Sequence, residues 1–235
     1  MLDWIINLIV DALNSIINTI NSLYRSNFNR DSEPHLRLYI RVFQPNSDYV
    51  GANATFERIA SDIETAKRIW GIKINYMLEG YPNPGLDASY ITFEKPVKWS
   101  TRLFNVANTK PREITVFYVP GTTLGSNSQG RAQTIAPHIF SATLRGAIFL
   151  TDTANSLVFA HELGHILFTQ VEKGNVTSIN PGSEHLPPSD NNHSTDPNNL
   201  MYPFVTSEAI TPEQRKKAAL SPFVWRPWSL GKKKK

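Results

Sequence analysis

The sequence predicts an α+β fold organised around two parallel strands and the helix that joins them. Residues 36–43 alternate between aliphatic and other side chains, which is the period of a half-buried strand. Residues 56–70 place apolar side chains at helical spacing, and Gly71 is positioned to end that helix. Residues 72–78 alternate again. The order strand, long helix, strand implies a parallel pair with a right-handed crossover.

Later elements follow from equally local signals. Residues 114–118 are a third predicted strand, and residues 122–133, rich in Gly, Ser and Asn, are predicted to be a loop. Residues 146–151 are a fourth strand, followed by a helix. A C-terminal helix is predicted to begin at the capping box Thr211-Pro212-Glu213-Gln214 and to end near Leu220.

Composition excludes several classes of function. With 235 residues and 40% hydrophobic content, the chain can bury one sizeable core. The net charge of +4 equals the charge of the four lysines at 232–235, so the rest of the chain predicts no nucleic-acid-binding surface. The sequence contains no cysteine, which excludes disulfides and thiolate zinc ligands.

The N-terminal segment, residues 2–24, is the most apolar part of the chain and has a narrower polar stripe at helical spacing. Asp3, Asp11 and the lack of a basic start fit a signal peptide poorly. Three roles stay open: a helix lying on a membrane surface or a partner, a helix packed on its own domain, and a divergent signal or anchor.

The stretch Ala160–Leu167 contains the pattern His-Glu-x-x-His. On a helix, His161 and His165 share one face, so their imidazoles can bind one metal ion. Glu162 can then act as a general base on a water in the open metal position. Few protein ligands, one exchangeable position and one adjacent carboxylate favour catalytic zinc. The alternative is that two surface histidines flank a helical glutamate.

A second stretch, His193–Pro203, has the sequence His-Ser-Thr-Asp-Pro-Asn-Asn-Leu-Met-Tyr-Pro. Together the two stretches resemble the metzincin clan of zinc endopeptidases, most closely its matrixin branch. The resemblance implies Glu162 as the base, three histidine ligands and a methionine in a tight turn (the Met-turn) beneath the metal: His161, His165, His193 and Met201. It also implies a twisted mixed sheet of four to five strands backed by two helices, an active-site helix, the Met-turn and a C-terminal helix.

The spacing of the third histidine departs from the family pattern. Phe168 stands where the family has a glycine, and 27 residues separate His165 from His193. We expect this insertion to be a loop, because glycines and prolines interrupt it. His185 lies inside it and is the alternative third ligand. We expect His193 instead, because it keeps the neighbours of the family pattern: Ser194, Asp196, Pro197 and Met201.

The resemblance implies a zinc-dependent endopeptidase that acts on protein or peptide substrates. Glu162 would take a proton from the zinc-activated water and deliver it to the leaving amine. We expect an extended peptide to pair with an edge strand that contains Gly146, Ala147, Ile148 and Phe149. The wall of the pocket after the scissile bond is expected to come from Tyr202, Pro203 and Phe204.

Two other functions stay open. A gluzincin-type zinc peptidase would use Glu184, 19 residues after His165, although the prolines around Glu184 argue against the helix that this group needs. A catalytically inactive, zinc-stabilised binding module is the second alternative, and the intact Glu162 argues against it.

Further metals are not predicted. Matrixins often carry structural zinc and calcium in the loop equivalent to residues 122–145, but this stretch has no Asp or Glu and only His138. We therefore expect neither a second zinc nor calcium. The predicted organisation is an amphipathic helix and linker (residues 1–33), a metalloprotease catalytic domain (34–230) and a disordered lysine tail (231–235). We expect a secreted or membrane-associated protein rather than a cytoplasmic one.

Overall fold

The computed structural model describes residues 33–91, 111–125, 127–135, 144–172 and 175–226 of the chain. The strands are β1 (His35–Gln44), β2 (Lys73–Pro82), β3 (Ile114–Tyr118), β4 (Gly130–Ile135), β5 (Arg145–Leu150), β6 (Thr169–Glu172) and β7 (Asn175–Ser178). The α-helices are α1 (Phe56–Trp70), α2 (Ser156–Leu167) and α3 (Pro212–Ala219), and Ala88–Tyr90 forms a 3-10 turn. The predictions for residues 2–24, His138 and the lysine tail lie outside the described residues.

Five of the strands form one mostly parallel sheet in the order β2-β1-β3-β5-β4. The first four are parallel to one another, and β4 runs antiparallel to β5. β1 and β2 align from His35 opposite Lys73 to Gln44 opposite Pro82, and α1 connects them. The predicted α+β class and the parallel pair with its helical crossover are therefore confirmed.

The prediction that residues 146–149 form an edge strand is wrong, because β5 lies inside the sheet. It pairs with β3 on one side and with β4 on the other, and Ala147, Ile148 and Phe149 are each 0% exposed. Among the described strands, β4 is at this edge of the sheet, and it replaces the last part of the predicted loop. β4 lacks a clear apolar alternation. It forms because its backbone pairs with β5 from Gly130 opposite Leu150 to Ile135 opposite Arg145, a long-range contact that no local pattern reports.

Apolar side chains cover both faces of the sheet. One face packs against α1 and α2 in the larger core, which includes Trp70, Phe159 and Phe168. The other face carries a smaller core around Phe43, Phe117 and Phe149. The three rings stack: the centroids of Phe43 and Phe117 are 6.2 Å apart, and those of Phe117 and Phe149 are 5.1 Å apart. β3 is buried along its whole length between these two layers.

The helix ends follow the predicted capping chemistry. α1 ends at Gly71, whose φ of 65° is left-handed and whose N–H donates to the carbonyl of Lys67 (2.9 Å). At the start of α3, the Thr211 hydroxyl accepts from the N–H of Gln214, and the Gln214 side chain accepts from the N–H of Thr211. This reciprocal pair is the predicted capping box, and α3 ends at Ala219, close to the predicted Leu220.

The insertion after α2 is not only a loop. It opens with a hairpin in which β6 and β7 pair antiparallel from Thr169 opposite Ser178 to Glu172 opposite Asn175. The hydroxyl of Thr169 lies 3.1 Å from that of Thr134 in β4, and Ser178 Oγ donates to the carbonyl of His165 (2.6 Å). The hairpin is therefore tied to both the edge strand and the end of α2.

Among the helices of the described residues, none combines the length and the apolar character that a membrane span requires.

Candidate metal centre

Three histidines converge at one end of a cleft. His161 and His165 lie on α2, His193 lies in the chain that follows the insertion, and one ring nitrogen of each comes within 4.8 Å of the others. The Nε2 atoms of His161 and His165 are 3.0 Å apart. Within the described residues, this is the one group of three or more histidine or carboxylate side chains with the spacing of a metal site.

The turn around Met201 fixes the first of these imidazoles. The Nδ1–H of His161 donates to the carbonyl of Leu200 (2.8 Å), because a carbonyl can only accept. The proton is therefore on Nδ1, and the lone pair of Nε2 points towards the other histidines. Met201 is fully buried against α2 at Gly164, where a Cβ would come 2.5 Å from the Met201 sulfur.

The surroundings keep the three imidazoles neutral. Burial lowers the pKa of His161 to about 4. It also lowers the pKa of His165 well below its usual value, and the neighbouring His161 and His193 add to this effect. Burial is again the main reason that the pKa of His193 is lowered. Neutral imidazole is the form that binds metal ions.

Glu162 is a buried carboxyl group beside β4, at the wall of the cleft that the histidines line. It is 7% exposed, and burial raises its pKa to about 7, against the opposing effects of Arg131 and of a hydrogen bond from the backbone of Ala132. Gly130 permits this approach, because a Cβ there would lie 2.6 Å from Val158 Cγ1 and 3.1 Å from Glu162 Cγ. A carboxyl group with this pKa can both accept and release a proton near neutral pH.

Hydrogen bonds between α1, β3 and the start of α2 hold α2, which carries His161 and His165, in place. Asp62 on α1 accepts from the hydroxyls of Tyr118 and Ser156, both at 2.7 Å. Burial raises the pKa of Asp62, and these hydroxyls oppose the shift. Arg58 donates to the carbonyls of Thr151 and Ala154, both at 2.7 Å, in the loop that leads into α2. The position of α2 relative to the sheet is therefore set by buried polar contacts as well as by the core.

The insertion returns His193 to the site through its own polar contacts. Ser183 Oγ donates to the carbonyl of His193 (2.6 Å), and Asn180 Nδ2 donates to Ser183 Oγ (2.9 Å). The N–H of Asn180 donates to the carbonyl of Asn191 (2.8 Å), which closes the base of the loop. These contacts link the residues that follow β7 directly to the end of the insertion.

A buried amide network (Asn180, Asn199 and Gln214) connects the insertion to the Met-turn and to α3. Gln214 Nε2 donates to Asn180 Oδ1 (2.6 Å) and to Asn199 Oδ1 (3.0 Å), and Asn199 Nδ2 donates back to Gln214 Oε1 (3.0 Å). Asn199 Oδ1 also accepts from the N–H of Met201 (2.9 Å). All three amides are at most 4% exposed.

The cleft in front of the histidines has a volume of about 710 Å³ and lies between β4 and the insertion. Its lining residues include Arg131, Ala132, Thr177, Asn192 and Pro203 together with Glu162 and the three histidines. Of the three predicted wall residues, Pro203 lines this cleft, whereas Tyr202 and Phe204 are not among its lining residues. Phe204 is 76% exposed.

The two rival ligands lie outside the histidine group. Glu184 is exposed and accepts a hydrogen bond from the N–H of Gly182 (2.8 Å). It lines a separate groove beside α3, and His185 is exposed in the same turn. The described structure therefore does not bring Glu184 or His185 to His161 and His165.

Several site residues have no sequence signal that could identify them. Arg131 and Ala132 lie in the part of the chain that is predicted to be a loop, and β4 places them beside Glu162. Asn180 and Ser183 lie in a polar insertion in which they do not differ from their neighbours. Gln214 has a signal as a capping residue, but its contacts with Asn180 and Asn199 depend on tertiary folding.

The donor set fits a tetrahedral metal ion. Nitrogen ligands about 2.0–2.1 Å from such an ion lie roughly 3.3 Å from one another. The Nε2 atoms of His161 and His165 are 3.0 Å apart, and the carbonyl of Leu200 fixes the tautomer that directs the His161 lone pair inward. The prediction that the chain holds no second zinc and no calcium stays a prediction, because His138 lies outside the described residues.

Comparison with known proteins identifies a fold rather than a family. No protein-family model matches the sequence, and no curated protein matches it. Among solved structures, metalloproteinase-II from Bacteroides fragilis is similar, with a TM-score of 0.50 and 14% sequence identity. The alignment covers 80% of this chain and 53% of that protein, so this chain spans about half of its length. The chain therefore has a metalloproteinase-like fold and a histidine triad that can bind a metal ion.

Proposed function

We propose that this protein is a zinc-dependent endopeptidase. The observation that carries the proposal is the convergence of His161, His165 and His193 next to the buried Glu162, at the wall of an open cleft. Three imidazoles leave one position of a tetrahedral ion free for water or substrate, as in catalytic zinc sites. A metalloproteinase of similar fold supports the same class of reaction.

A zinc ion bound there would supply Lewis acidity towards a water molecule and a substrate carbonyl. Glu162 would take a proton from the attacking water and deliver it to the leaving amine. Its position between the histidines and β4 suits this role, because it lies next to the ligands without belonging to their group. The N–H of Ala132 helps to hold its carboxyl group in place.

The substrate would lie extended along β4. Within the described residues, β4 has β5 as its strand partner on one side and borders the cleft with the other. An extended peptide can therefore add to this edge by backbone hydrogen bonds. Pro203, which lines the same cleft, would contact the substrate on the far side of the histidines. The matrixin-like assignment within the metzincins rests on the His193–Pro203 stretch and belongs to this proposal.

Replacement of Glu162 tests the proposal. The purified protein should bind one zinc and cleave unfolded protein, and a chelator should abolish the cleavage. Glu162→Ala should retain zinc and lose about 10²–10⁴-fold in the rate of hydrolysis, because it removes the base and not a ligand. Zinc content is measured by metal analysis, and hydrolysis by a quenched fluorescent substrate.

Glu184→Ala is the matched control, since it removes the exposed glutamate that a gluzincin-type site would use. It should keep both zinc and activity. A Glu162→Ala protein that turns over substrate at the wild-type rate would contradict the proposed mechanism. A wild-type protein that binds zinc and cleaves no substrate would support an inactive binding module instead.

A further inference from the structure

Arg131 occupies a distinctive position in the cleft. It lies on the edge strand β4, next to Ala132, whose backbone contacts Glu162. Its side chain is exposed, and the residue lines the same cleft as Glu162, His165 and His193. A peptide bound along β4 would therefore pass Arg131 close to the bond that is cleaved.

The positive charge of Arg131 reaches the site residues. Burial is the main cause of the pKa shifts nearby: it raises the pKa of Glu162 and lowers the pKa values of His165 and His193. The charge of Arg131 acts to lower the pKa of all three groups. Arg131 lines the cleft together with Glu162, His165 and His193, so its charge borders the space that a bound peptide would enter.

The charge of the cleft favours an acidic ligand. Among the described residues that line it, Glu162 is the one carboxylate and Arg131 the one arginine or lysine. Asp190, which is not among the lining residues, acts electrostatically on His193 from the insertion. A divalent metal ion would add to the positive charge, so a substrate carboxylate would meet a net attractive field.

We propose that Arg131 makes the cleft selective for peptides that carry an aspartate or glutamate side chain beside the cleaved bond. A guanidinium suits this role, because its planar donors match the two oxygens of a carboxylate. The inference rests on the proposed peptidase function and names the substrate class of that site.

Matched peptide pairs test the selectivity. Capped, quenched peptides would carry Glu or Gln at each of the positions on either side of the cleaved bond, in an otherwise neutral sequence. At one or two positions, we expect kcat/KM to be about five-fold higher for the Glu peptide, the size expected of a partly exposed ion pair. Arg131→Gln should remove this ratio, and Arg131→Lys should retain much of it. Arg131→Glu should instead favour a further peptide that carries Lys at the same position.

Binding provides a readout that does not depend on turnover. Fluorescence anisotropy with the zinc-loaded Glu162→Gln protein should show the same Glu-over-Gln preference, and the double variant with Arg131→Gln should lose it. The preference should fall as salt rises, because the pair is partly exposed. If no peptide is cleaved but the binding preference is present, the peptidase proposal fails and the role of Arg131 stands.

Lys67→Gln is the charge-matched control, because Lys67 lies in the last turn of α1 and is not among the residues that line the cleft. It should keep the full preference. Circular dichroism should show that the Arg131 variants are folded. Equal kcat/KM values of the wild-type protein for the Glu and Gln peptides would overturn the inference. A preference that survives Arg131→Gln would also overturn it.

Discussion

At the scale of single residues, Gly164 shows how closely the turn around Met201 approaches α2. It stands between the two helical histidines in the sequence, and a Cβ there would lie 2.5 Å from Met201 Sδ and 2.7 Å from Trp70 Cζ2. Glycine is normally unfavourable within a helix by about 1 kcal/mol relative to alanine. Here it allows Leu200 to place its carbonyl 2.8 Å from His161 Nδ1. Close packing thus takes precedence over helix propensity at this position.

The third metal ligand is a prediction at the same scale. His193→Ala should lose zinc or bind it far more weakly, because it removes one of three imidazoles that converge on one point. His185→Ala is the matched control in the same insertion, and it should bind zinc normally because His185 is exposed and outside the group. Competition with a chromophoric chelator measures both affinities. Loss of zinc in the His185 variant alone would show that the matrixin-like assignment of the ligands is incorrect.

At the scale of elements, the buried amide network anchors the long insertion that leads to His193. It joins the residues that follow β7 to the turn around Met201 and to α3, and Ser183 extends it to the carbonyl of His193. A long insertion adds little entropy cost, since loop closure grows only logarithmically with length. The polar contacts then determine the position in space of the last residues of the insertion, next to His193.

Replacement of Gln214 tests this role. Gln214→Leu removes the hydrogen-bond partner of the buried Asn180 Oδ1 and of the buried Asn199 Nδ2, and we expect the free energy of unfolding to fall by about 2–4 kcal/mol. Zinc affinity of the folded protein should also fall, because the position of His193 depends on Asn180 through Ser183. Urea unfolding and chelator competition measure the two effects.

Gln170→Leu is the control for this change, since Gln170 is half-buried on β6 and outside the amide network. It should leave zinc affinity close to that of the wild type. A Gln214→Leu protein that is destabilised but binds zinc as tightly as the wild type would show that the network stabilises the fold without positioning the ligand.

At the scale of the whole molecule, the described residues between positions 33 and 226 contain both cores, the sheet and the histidine triad. β1 begins at His35, where it bridges to Trp225 near the end of the described chain. Deletion of residues 1–30 should therefore leave a folded protein that binds zinc. We expect the same deletion to abolish association with a membrane surface or a partner, because the apolar stripe lies in residues 2–24.

Circular dichroism, zinc analysis and sedimentation with lipid vesicles measure the effect of the deletion. A truncated protein that is insoluble or unfolded would show that residues 2–24 belong to the core of the domain. Vesicle binding by the truncated protein would show that another surface carries the association.

The sequence by itself determines the features that depend on local spacing. His161, Glu162 and His165 are identified because residues four apart lie on one face of a helix. The strand-helix-strand order that predicts β1 and β2 as a parallel pair, the end of α1 at Gly71 and the capping box at Thr211 likewise follow from short stretches. In each case, the signal lies in residues that are neighbours along the chain, although β1 and β2 themselves meet only across α1.

Tertiary structure alone decides which strand is at the edge and which distant residues meet. β5 has the apolar pattern of a strand whether it is inner or outer, and β4 is recognisable only through its pairing with β5. The approach of His193 to α2 depends on contacts across the insertion, and the position of Arg131 depends on β4. Strand order and loop return are set by long-range hydrogen bonds and packing, and a local sequence pattern carries no information about them.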